Sequence, residues 1–232
     1  MPTYVVTGAA RGIGLGLVTQ LLDAGQTVVA AIRSATPSEG LSKLASTHTS
    51  QLFILQCDLA SADSVKAFGQ ELAKKISSVD VLINNAGICT IPEDETPSNL
   101  QPRIITEQFN INVIGTLLVT DAVEPLFHAG TKIINISSFM ASMETVLSMA
   151  MENGTSYGIS KAALNMLTVN QALHYTECIV VAIDPGTVAT DMNPEGESTV
   201  ADCAAKMLAV ESRLKIEDTG SFLSLEGTKR PW

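Results

Sequence analysis

The segment Thr7-Gly8-Ala9-Ala10-Arg11-Gly12-Ile13-Gly14 decides the fold, because it stands between a strand-like and a helix-like stretch. A short β-branched and aromatic run, Thr3–Thr7, leads into it, and apolar residues at helical spacing follow over Gly14–Ala24. Glycines in such a turn allow positive φ angles and a close approach of the backbone to a ligand. The open N–H groups of the following helix favour a diphosphate. The segment predicts a dinucleotide-binding βα turn, although a tight βα turn without a ligand also uses glycines.

Apolar strands and helical stretches alternate along the rest of the chain. Further strands are predicted over Thr27–Ile32, Gln51–Cys57, Val79–Ile83, Thr131–Ser137, Cys178–Ile183 and Gly220–Leu225. Helices are predicted from Ser61 onward and over Arg103–Phe127, Tyr157–Tyr175 and Thr199–Glu211. Strands joined by helices of this length pair in parallel through right-handed crossovers. We therefore expect a single α/β domain over residues 1–232, with a doubly wound, Rossmann-like parallel sheet of about seven strands and helices on both faces.

Composition excludes several classes of protein. The 232 residues contain 14 Lys and Arg against 24 Asp and Glu, a formal net charge of −10, which argues against nucleic acid or an anionic membrane as the partner. No apolar run reaches the roughly 18 residues of a membrane span, and the first residues do not resemble a signal peptide. The four cysteines are scattered and the three histidines lie far apart in sequence. We expect a cytoplasmic protein with reduced thiols and no metal site.

The end of the second strand bears on the choice of cofactor. A dinucleotide fold that prefers NAD places an acidic residue about 20 residues after the glycine-rich turn, to hold the ribose hydroxyls. Here the stretch reads Ala30-Ala31-Ile32-Arg33-Ser34, with no acid. Arg33 and Arg11 could together bind the 2′-phosphate of NADP(H), for which a planar guanidinium is suited. The alternative is that Arg33 is a solvated surface residue.

Polar and small residues follow three later strands. They are Asn84-Asn85-Ala86-Gly87, the pair Ser137-Ser138, and Pro185-Gly186-Thr187-Val188-Ala189-Thr190. Ligands of open α/β sheets bind at this carboxyl edge of the strands. Tyr157 and Lys161 stand four residues apart on a predicted helix and therefore share one face. The sequence predicts that these groups meet at one site.

Taken in order, the motifs TGAARGIG, NNAG, Ser138, YxxxK and PGxVxTDM resemble the short-chain dehydrogenase/reductase family, over essentially the whole chain. The run that begins at Arg11 and the ending from Gly220 to Trp232 are most similar to the sniffer-type carbonyl reductases. The resemblance implies an oxidoreductase that uses NADP(H) to interconvert a ketone or aldehyde and an alcohol.

The resemblance also implies roles for individual residues. Tyr157 would be the general acid/base, Ser138 would orient the carbonyl, Lys161 would lower the tyrosine pKa and bind ribose, and Asn112 would position Lys161. Asn110, two residues earlier, competes for the asparagine role. The implied cofactor contacts are Gly8, Arg11, Gly12, Ile13, Gly14, Arg33, Asp58, Leu59, Asn85, Ala86, Gly87, Tyr157, Lys161, Pro185, Gly186, Val188 and Thr190.

Some alternatives remain open from the sequence. The same scaffold could serve a non-redox or redox-coupled cyclase or isomerase, or a binding protein without activity. The segments Ile88–Pro102 and Phe139–Thr155 are predicted to be mobile loops. The methionines of the second segment could line a site for a bulky apolar substrate or could belong to a packed or interface loop. A homodimer through the helices at Arg103–Phe127 and Tyr157–Tyr175 is a further possibility.

Overall fold

Seven parallel strands form one sheet in a computed structural model that describes residues 1–232. Their order across the sheet is β3-β2-β1-β4-β5-β6-β7. The strands are β1 Thr3–Thr7, β2 Thr27–Ile32, β3 Leu52–Gln56, β4 Val81–Asn84, β5 Lys132–Ile136, β6 Ile179–Ile183 and β7 Ser221–Leu223. The predicted fold class, a Rossmann-like sheet with helices on both faces, is confirmed. The single-domain boundary stays a prediction.

Eight α-helices connect the strands. They are α1 Gly12–Asp23, α2 Glu39–Thr47, α3 Ala62–Lys75, α4 Pro102–Phe109, α5 Thr116–Val123, α6 Met143–Ser148, α7 Thr155–His174 and α8 Val200–Glu211. None of them combines the length and apolar character that a membrane span requires.

The sheet is buried on both faces, which explains why its strands are continuously apolar. Successive side chains of a strand point to opposite faces. In β1, Tyr4 and Val6 join the core beneath α1, α2 and α8, whereas Val5 joins the core beneath α3 and α5. Each strand therefore contributes to two hydrophobic cores and has few positions open to polar residues.

The strand order creates the crevice for a ligand. β1 pairs with β2 on one side and with β4 on the other. The connections after β1 and β4 leave the sheet in opposite directions at this point, so a gap opens between them at the carboxyl edge. The glycine-rich turn and the Asn84–Gly87 segment stand on its two sides.

The structure corrects three predicted elements. Arg103–Phe127 is not one α-helix, because α4 and α5 are separated by a π-helical segment, Asn110–Gly115, and the last turn is a 3₁₀ helix. α2 was not predicted; Ser38 caps it through a hydrogen bond from Leu41 N–H. The segment Phe139–Thr155 is not a structureless loop, since it contains a 3₁₀ turn and α6.

Candidate active site

The glycine-rich turn after β1 forms one wall of the crevice. Gly8 and Gly12 have φ angles of 64° and 54°, which residues with side chains rarely adopt. A Cβ atom on Gly8 would lie 2.8 Å from Cα of Ala86, and one on Gly14 would lie closer still to the carbonyl oxygen of Gly8. Arg11 precedes α1 without capping it through its side chain, so the first N–H groups of the helix are not capped. The residues present fit the diphosphate of a dinucleotide.

The Asn84–Gly87 segment forms the opposite wall and is bonded to the turn. The Nδ2 group of Asn85 donates to the carbonyl oxygen of Thr7 at 2.9 Å, and the backbone N–H of Ala86 donates to Thr7 Oγ1 at 2.9 Å. The side chain of Asn85 therefore holds the turn in shape. A cofactor would meet the small residues Ala86 and Gly87 at this position.

The two arginines predicted to bind a 2′-phosphate have different surroundings. Arg33 is exposed at the end of β2, and its guanidinium forms no ion pair. The Nη1 atom of Arg11 lies 2.7 Å from Oδ2 of Asp191, in the loop that follows β6. Arg33 can therefore bind an anion without giving up an ion pair. Arg11 joins the glycine-rich turn to the loop after β6 through its ion pair with Asp191. The phosphate role stays a prediction for both.

Asp58 and Leu59 follow β3 at the same edge of the sheet. The backbone N–H of Asp58 donates to Ser64 Oγ at 2.9 Å, and its carboxylate accepts from the N–H of Ala60 at 3.1 Å. Leu59 is buried, and its side chain stands where a Cβ atom on Gly115 would lie. Both residues help to shape the edge of the crevice, and contact with an adenine stays a prediction.

The two serines after β5 face in opposite directions. Ser137 Oγ donates to Oδ1 of Asn165 on α7 at 2.7 Å. Ser138 instead lies beside Tyr157, and its hydroxyl lowers the pKa of the phenol. This opposition follows from the alternation of side chains along extended backbone. The structure therefore brings Ser138, the residue predicted from the sequence, to the tyrosine.

Lys161 is a buried cation one helical turn from Tyr157. Its Nζ atom donates to the carbonyl oxygen of Ile136 at 2.8 Å and lies 5.7 Å from the centre of the tyrosine ring. Burial lowers the pKa of Lys161 to about 8, and Cys89 acts in the opposite direction. A buried cation beside a phenol at a ligand crevice is typical of a functional site.

The sequence predicts that Lys161 lowers the pKa of Tyr157, but burial has the largest effect on this pKa in the structure. Burial raises the pKa of Tyr157 above its ordinary value, Cys89 and Asp184 raise it further, and only the neighbouring hydroxyl of Ser138 lowers it. Burial is the largest influence because a phenolate would lose its water shell at this place. The phenol is therefore protonated at neutral pH and can donate its proton.

Asn112 is fully buried inside the π-helical segment, and its side chain and that of Lys161 both lie close to Gly87. Its Oδ1 atom accepts from the N–H of Ile88 at 2.8 Å, and its Nδ2 donates to the Ile88 carbonyl at 2.9 Å and to a serine hydroxyl of α7 at 3.0 Å. A Cβ atom on Gly87 would lie 3.1 Å from Asn112 Oδ1 and 3.5 Å from Lys161 Nζ. The competitor Asn110 is exposed. π-Helical turns frequently mark functional sites, and this one brings Asn112 to the buried lysine.

The loop after β6 covers the glycine-rich turn. Pro185 begins it, Gly186 adopts a positive φ of 68°, and Val188 is buried. The γ-methyl group of Thr190 lies 3.5 Å from the position of a Cβ atom on Gly12. These four residues, predicted as cofactor contacts, belong to one loop that meets the turn at Gly12.

Comparison with known proteins agrees with this arrangement. The sequence profile of the short chain dehydrogenases matches residues 2–201. The chain belongs to the short-chain dehydrogenase family. An uncharacterized oxidoreductase of Schizosaccharomyces pombe is 32% identical over 99% of the chain and 97% of its own length. The predicted family is thus confirmed.

Two solved carbonyl reductases resemble this short-chain dehydrogenase throughout. NADPH-bound carbonyl reductase from chicken fatty liver is 35% identical, with a TM-score of 0.92, over 100% of the chain and 99% of its own. Carbonyl reductase Sniffer of D. melanogaster is 26% identical, with a TM-score of 0.90, over 100% of both chains. The predicted resemblance to the sniffer-type reductases is confirmed.

Glu95 is a residue of this short-chain dehydrogenase that the sequence did not single out. Its carboxylate is buried and accepts from Ser156 Oγ at 2.5 Å and from Ser156 N–H at 3.2 Å. Ser156 is in the first turn of α7, and Gly154, which precedes the helix, has no side chain to cap it. Glu95 thus accepts a hydrogen bond from the N-terminus of α7, the helix that carries Tyr157. The two bonded residues are 61 positions apart in the chain.

Gln108 completes this network and ties the Ile88–Pro102 segment down. Its Nε2 donates to Ser156 Oγ at 3.0 Å, and its Oε1 accepts from the N–H of Thr90 at 3.0 Å. The segment contains no helix or strand, but it is bonded to both α4 and α7 beside the site. Its predicted mobility is therefore restricted by contacts that are remote in sequence.

The methionine-rich segment divides into a packed and an exposed part. Met140 lies against Gly154, close to Ile91. Met143, Leu147 and Met149 are largely exposed on α6 and at its end. The segment begins directly after Ser138, so its exposed apolar residues follow the site closely along the chain.

Proposed function

We propose that this short-chain dehydrogenase reduces a ketone or aldehyde to an alcohol with NADPH, and catalyses the reverse reaction with NADP⁺. The observation that carries the proposal is the grouping of a protonated phenol, a serine hydroxyl and a buried ammonium at the carboxyl edge of the sheet. This set stands beside a glycine-rich turn that fits a diphosphate. The NADPH-bound carbonyl reductase of similar structure supports the same reaction class.

The bound NADPH would supply the hydride. Ser138 would donate a hydrogen bond to the carbonyl oxygen and orient it, which stabilises the negative charge that develops there. Tyr157 would donate its phenolic proton to the same oxygen. Lys161 uses one N–H on Ile136 and has two left for ribose hydroxyls and for the phenolate that forms. Asn112 would hold the Ile88 backbone and thereby keep the wall beside Lys161 in place.

The test of this function needs no knowledge of the natural substrate. NADPH at 100 times its Kd would stabilise the fold by about 2.7 kcal/mol, which for this chain length is a rise of about 5–11 °C in Tm. NADPH consumption is then followed with a panel of apolar ketones and aldehydes. A Tm rise with NADPH together with alcohol formation would support the proposal. Binding without any carbonyl reduction, and product formation without net NADPH consumption, would favour the cyclase or isomerase alternative.

Replacing Arg33 with Asp is expected to weaken NADPH binding by about 10- to 100-fold, because a charge-assisted hydrogen bond to the 2′-phosphate contributes about 1.5–3 kcal/mol. NADH has no 2′-phosphate, so its affinity should not fall. Titration of both cofactors by nicotinamide fluorescence measures this. Arg213→Asp makes the same change of charge after α8 and should leave both affinities unchanged. Equal losses for NADPH and NADH would contradict the role of Arg33.

We also propose that residues 1–232 act as one cytoplasmic domain that pairs with a second copy of itself. All four cysteines are free thiols, as a reducing compartment favours. Ile159, Met166 and Leu173 recur every seven residues on α7 and are exposed. Burying such an apolar stripe drives association. Light scattering should give twice the 24.5 kDa mass of the chain, and Met166→Glu should return it to the mass of one chain.

We propose a substrate with substantial apolar surface. Met143, Leu147 and Met149, which follow Ser138 closely in the chain, are apolar and exposed, and methionine side chains adapt to varied shapes. Substrates of increasing apolar size should therefore show falling KM in the same panel, and a KM that does not depend on apolar size would contradict this.

A further inference from the structure

The last residues of the chain return to the edge of the sheet that carries the proposed active site. After β7 the chain turns at Gly227, and Lys229 forms an antiparallel bridge with Leu223. The Trp232 ring stacks on Phe222 with ring centres 5.7 Å apart. The carbonyl oxygen of Trp232 accepts from Ser142 Oγ at 3.4 Å. This carboxyl-terminal tail is therefore bonded both to β7 and to the segment after Ser138.

Arg230 of the tail reaches a buried carboxylate. Asp184 follows β6 and is 1% exposed, and its Oδ2 atom lies 2.7 Å from Nη2 of Arg230. Oδ2 of Asp184 and Nε of Arg230 have no aligned hydrogen bond of their own, so the contact is an ion pair. A buried carboxylate without such a partner is strongly unfavourable. Arg230 is the cation that compensates Asp184.

Asp184 in turn holds backbone beside the active site. Its Oδ1 atom accepts from the N–H of Gly186, in the loop that covers the glycine-rich turn, at 3.0 Å. The backbone N–H of Phe139, the residue after Ser138, faces the same carboxylate and lowers its pKa. The loop after β6 is therefore bonded to this carboxylate, and the end of β5 stands beside it.

The charge of Asp184 also reaches the phenol. Burial raises the pKa of Asp184, whereas the hydrogen bond from Gly186, the charge of Arg230 and the nearby N–H of Phe139 lower it. Its negative charge raises the pKa of Tyr157. The other ionisable groups around Asp184 are Glu226 in the turn after β7 and Cys203 on α8.

We propose that Arg230 is a positioning residue for carbonyl reduction, which acts by keeping Asp184 compensated while Asp184 holds Gly186 in place beside the site. The proposal rests on the function proposed above. It makes the carboxyl-terminal tail part of the active site, although the tail contributes no reacting group. It also explains why an acid can stand directly before Pro185.

Two variants and their combination test the pair. Arg230→Gln is expected to lower kcat by about tenfold and to raise the pKa of Tyr157 by about one pH unit, since the charge of Asp184 is then uncompensated. Asp184→Asn should lower the pKa of Tyr157. In the Asp184→Asn background no charge is left to compensate. Arg230→Gln should then change kcat by less than about twofold and the pKa of Tyr157 by less than about 0.3. This double variant has no unpaired buried charge and folds even where Arg230→Gln does not.

The pKa of Tyr157 is measured without turnover, by ultraviolet titration of each variant with NADP⁺ bound against its Tyr157→Phe counterpart, because the positive nicotinamide lowers the pKa of the phenol. The chain has three tyrosines, so the difference isolates one phenol. A protein that reduces no carbonyl would contradict the proposed function, while the titration would still report on the ion pair. The control is Lys206→Gln, which removes an exposed cation 3.8 Å from Glu226 and should change neither quantity.

Two results would overturn the positioning role. The first is an unchanged Tyr157 pKa and an unchanged kcat in Arg230→Gln, with a lower Tm only, which would make the pair purely structural. The second is an equal cost of Arg230→Gln in the wild-type and Asp184→Asn backgrounds, which would show that Arg230 does not act through Asp184.

Discussion

Replacing Tyr157 with Phe is expected to lower kcat by about 10²- to 10⁴-fold, with NADPH binding nearly unchanged. The change removes one oxygen atom and leaves the ring packed. That oxygen is the proton donor of the proposed reaction, and Ser138 cannot replace it because its hydroxyl proton is far less acidic than a phenol. The measurements are NADPH consumption under saturating substrate and the Tm rise that NADPH produces.

Tyr175→Phe is the matched control for this variant. Tyr175 follows α7 at its other end, where its ring meets Phe127 edge-on with ring centres 5.7 Å apart. The substitution removes the same phenolic oxygen at the far end of α7, away from the site. Turnover should stay at the wild-type level. If Tyr157→Phe kept more than about a tenth of the wild-type kcat, another group would be the proton donor and the assignment would fail.

Replacing Lys161 with Met is expected to abolish turnover and to stabilise the fold. Burial lowers the pKa of Lys161 from 10.5 to about 8, so the folded chain holds the ammonium at a cost of about 3 kcal/mol at pH 7. Methionine has a similar shape without the charge. It leaves the Ile136 carbonyl without its donor, which costs about 1 kcal/mol. The free energy of unfolding should therefore rise by about 1–3 kcal/mol, and Tm by about 2–12 °C.

The lowered pKa of Lys161 also predicts how the stability difference between the wild type and Lys161→Met changes with pH. In the wild type, the unfolded chain holds the Lys161 proton up to pH 10.5 and the folded chain only up to about 8. The wild type should therefore gain stability as the pH rises from about 8 to about 10.5, and its difference from Lys161→Met should shrink over this window. A difference that is constant across this window, or a lower Tm of the variant at pH 7, would contradict the buried charge.

Lys132→Met shows what the same substitution does where the lysine is paired. Lys132 Nζ lies 2.6 Å from Oε1 of Glu211, whose side chain is buried. Removing this cation leaves a buried carboxylate alone, so Tm should fall. Opposite changes of Tm in the two lysine variants would separate a charge kept for function from a charge kept for folding.

Much of the fold could be predicted from the sequence because its strands are buried on both faces. All seven predicted strands match the observed ones within one or two residues at each end. α2 was missed because it is short, with nine residues, and Leu41 is the only one of them that is buried. The π-helical break was missed because a shift of one residue in register does not interrupt a run of helix-forming residues.

The site was predictable where its residues stand in short motifs, and not where partners are far apart in the chain. Ser138 and Tyr157 could be named because each follows a recognisable strand or belongs to a spaced pair. Glu95 and Arg230 could not, since their partners lie 61 and 46 residues away and neither has a local pattern. Only the packing of the loops against α7 and β6 shows what these two charges do.

For an evolving gene, the π-helical segment Asn110–Gly115 sets a limit on insertions and deletions. Each of its turns encloses one residue more than a turn of α-helix. Gln108 before the segment contacts Ser156, and Thr120 after it accepts from the side chain of Asn84 at 3.1 Å. Losing one codon within the segment would turn its wide turn into a turn of regular α-helix, so both flanking contacts would be kept but the bulge that carries Asn112 would be lost. The extra residue of this helix is therefore kept for the place it gives Asn112 beside Lys161, and not for the contacts of the two flanks.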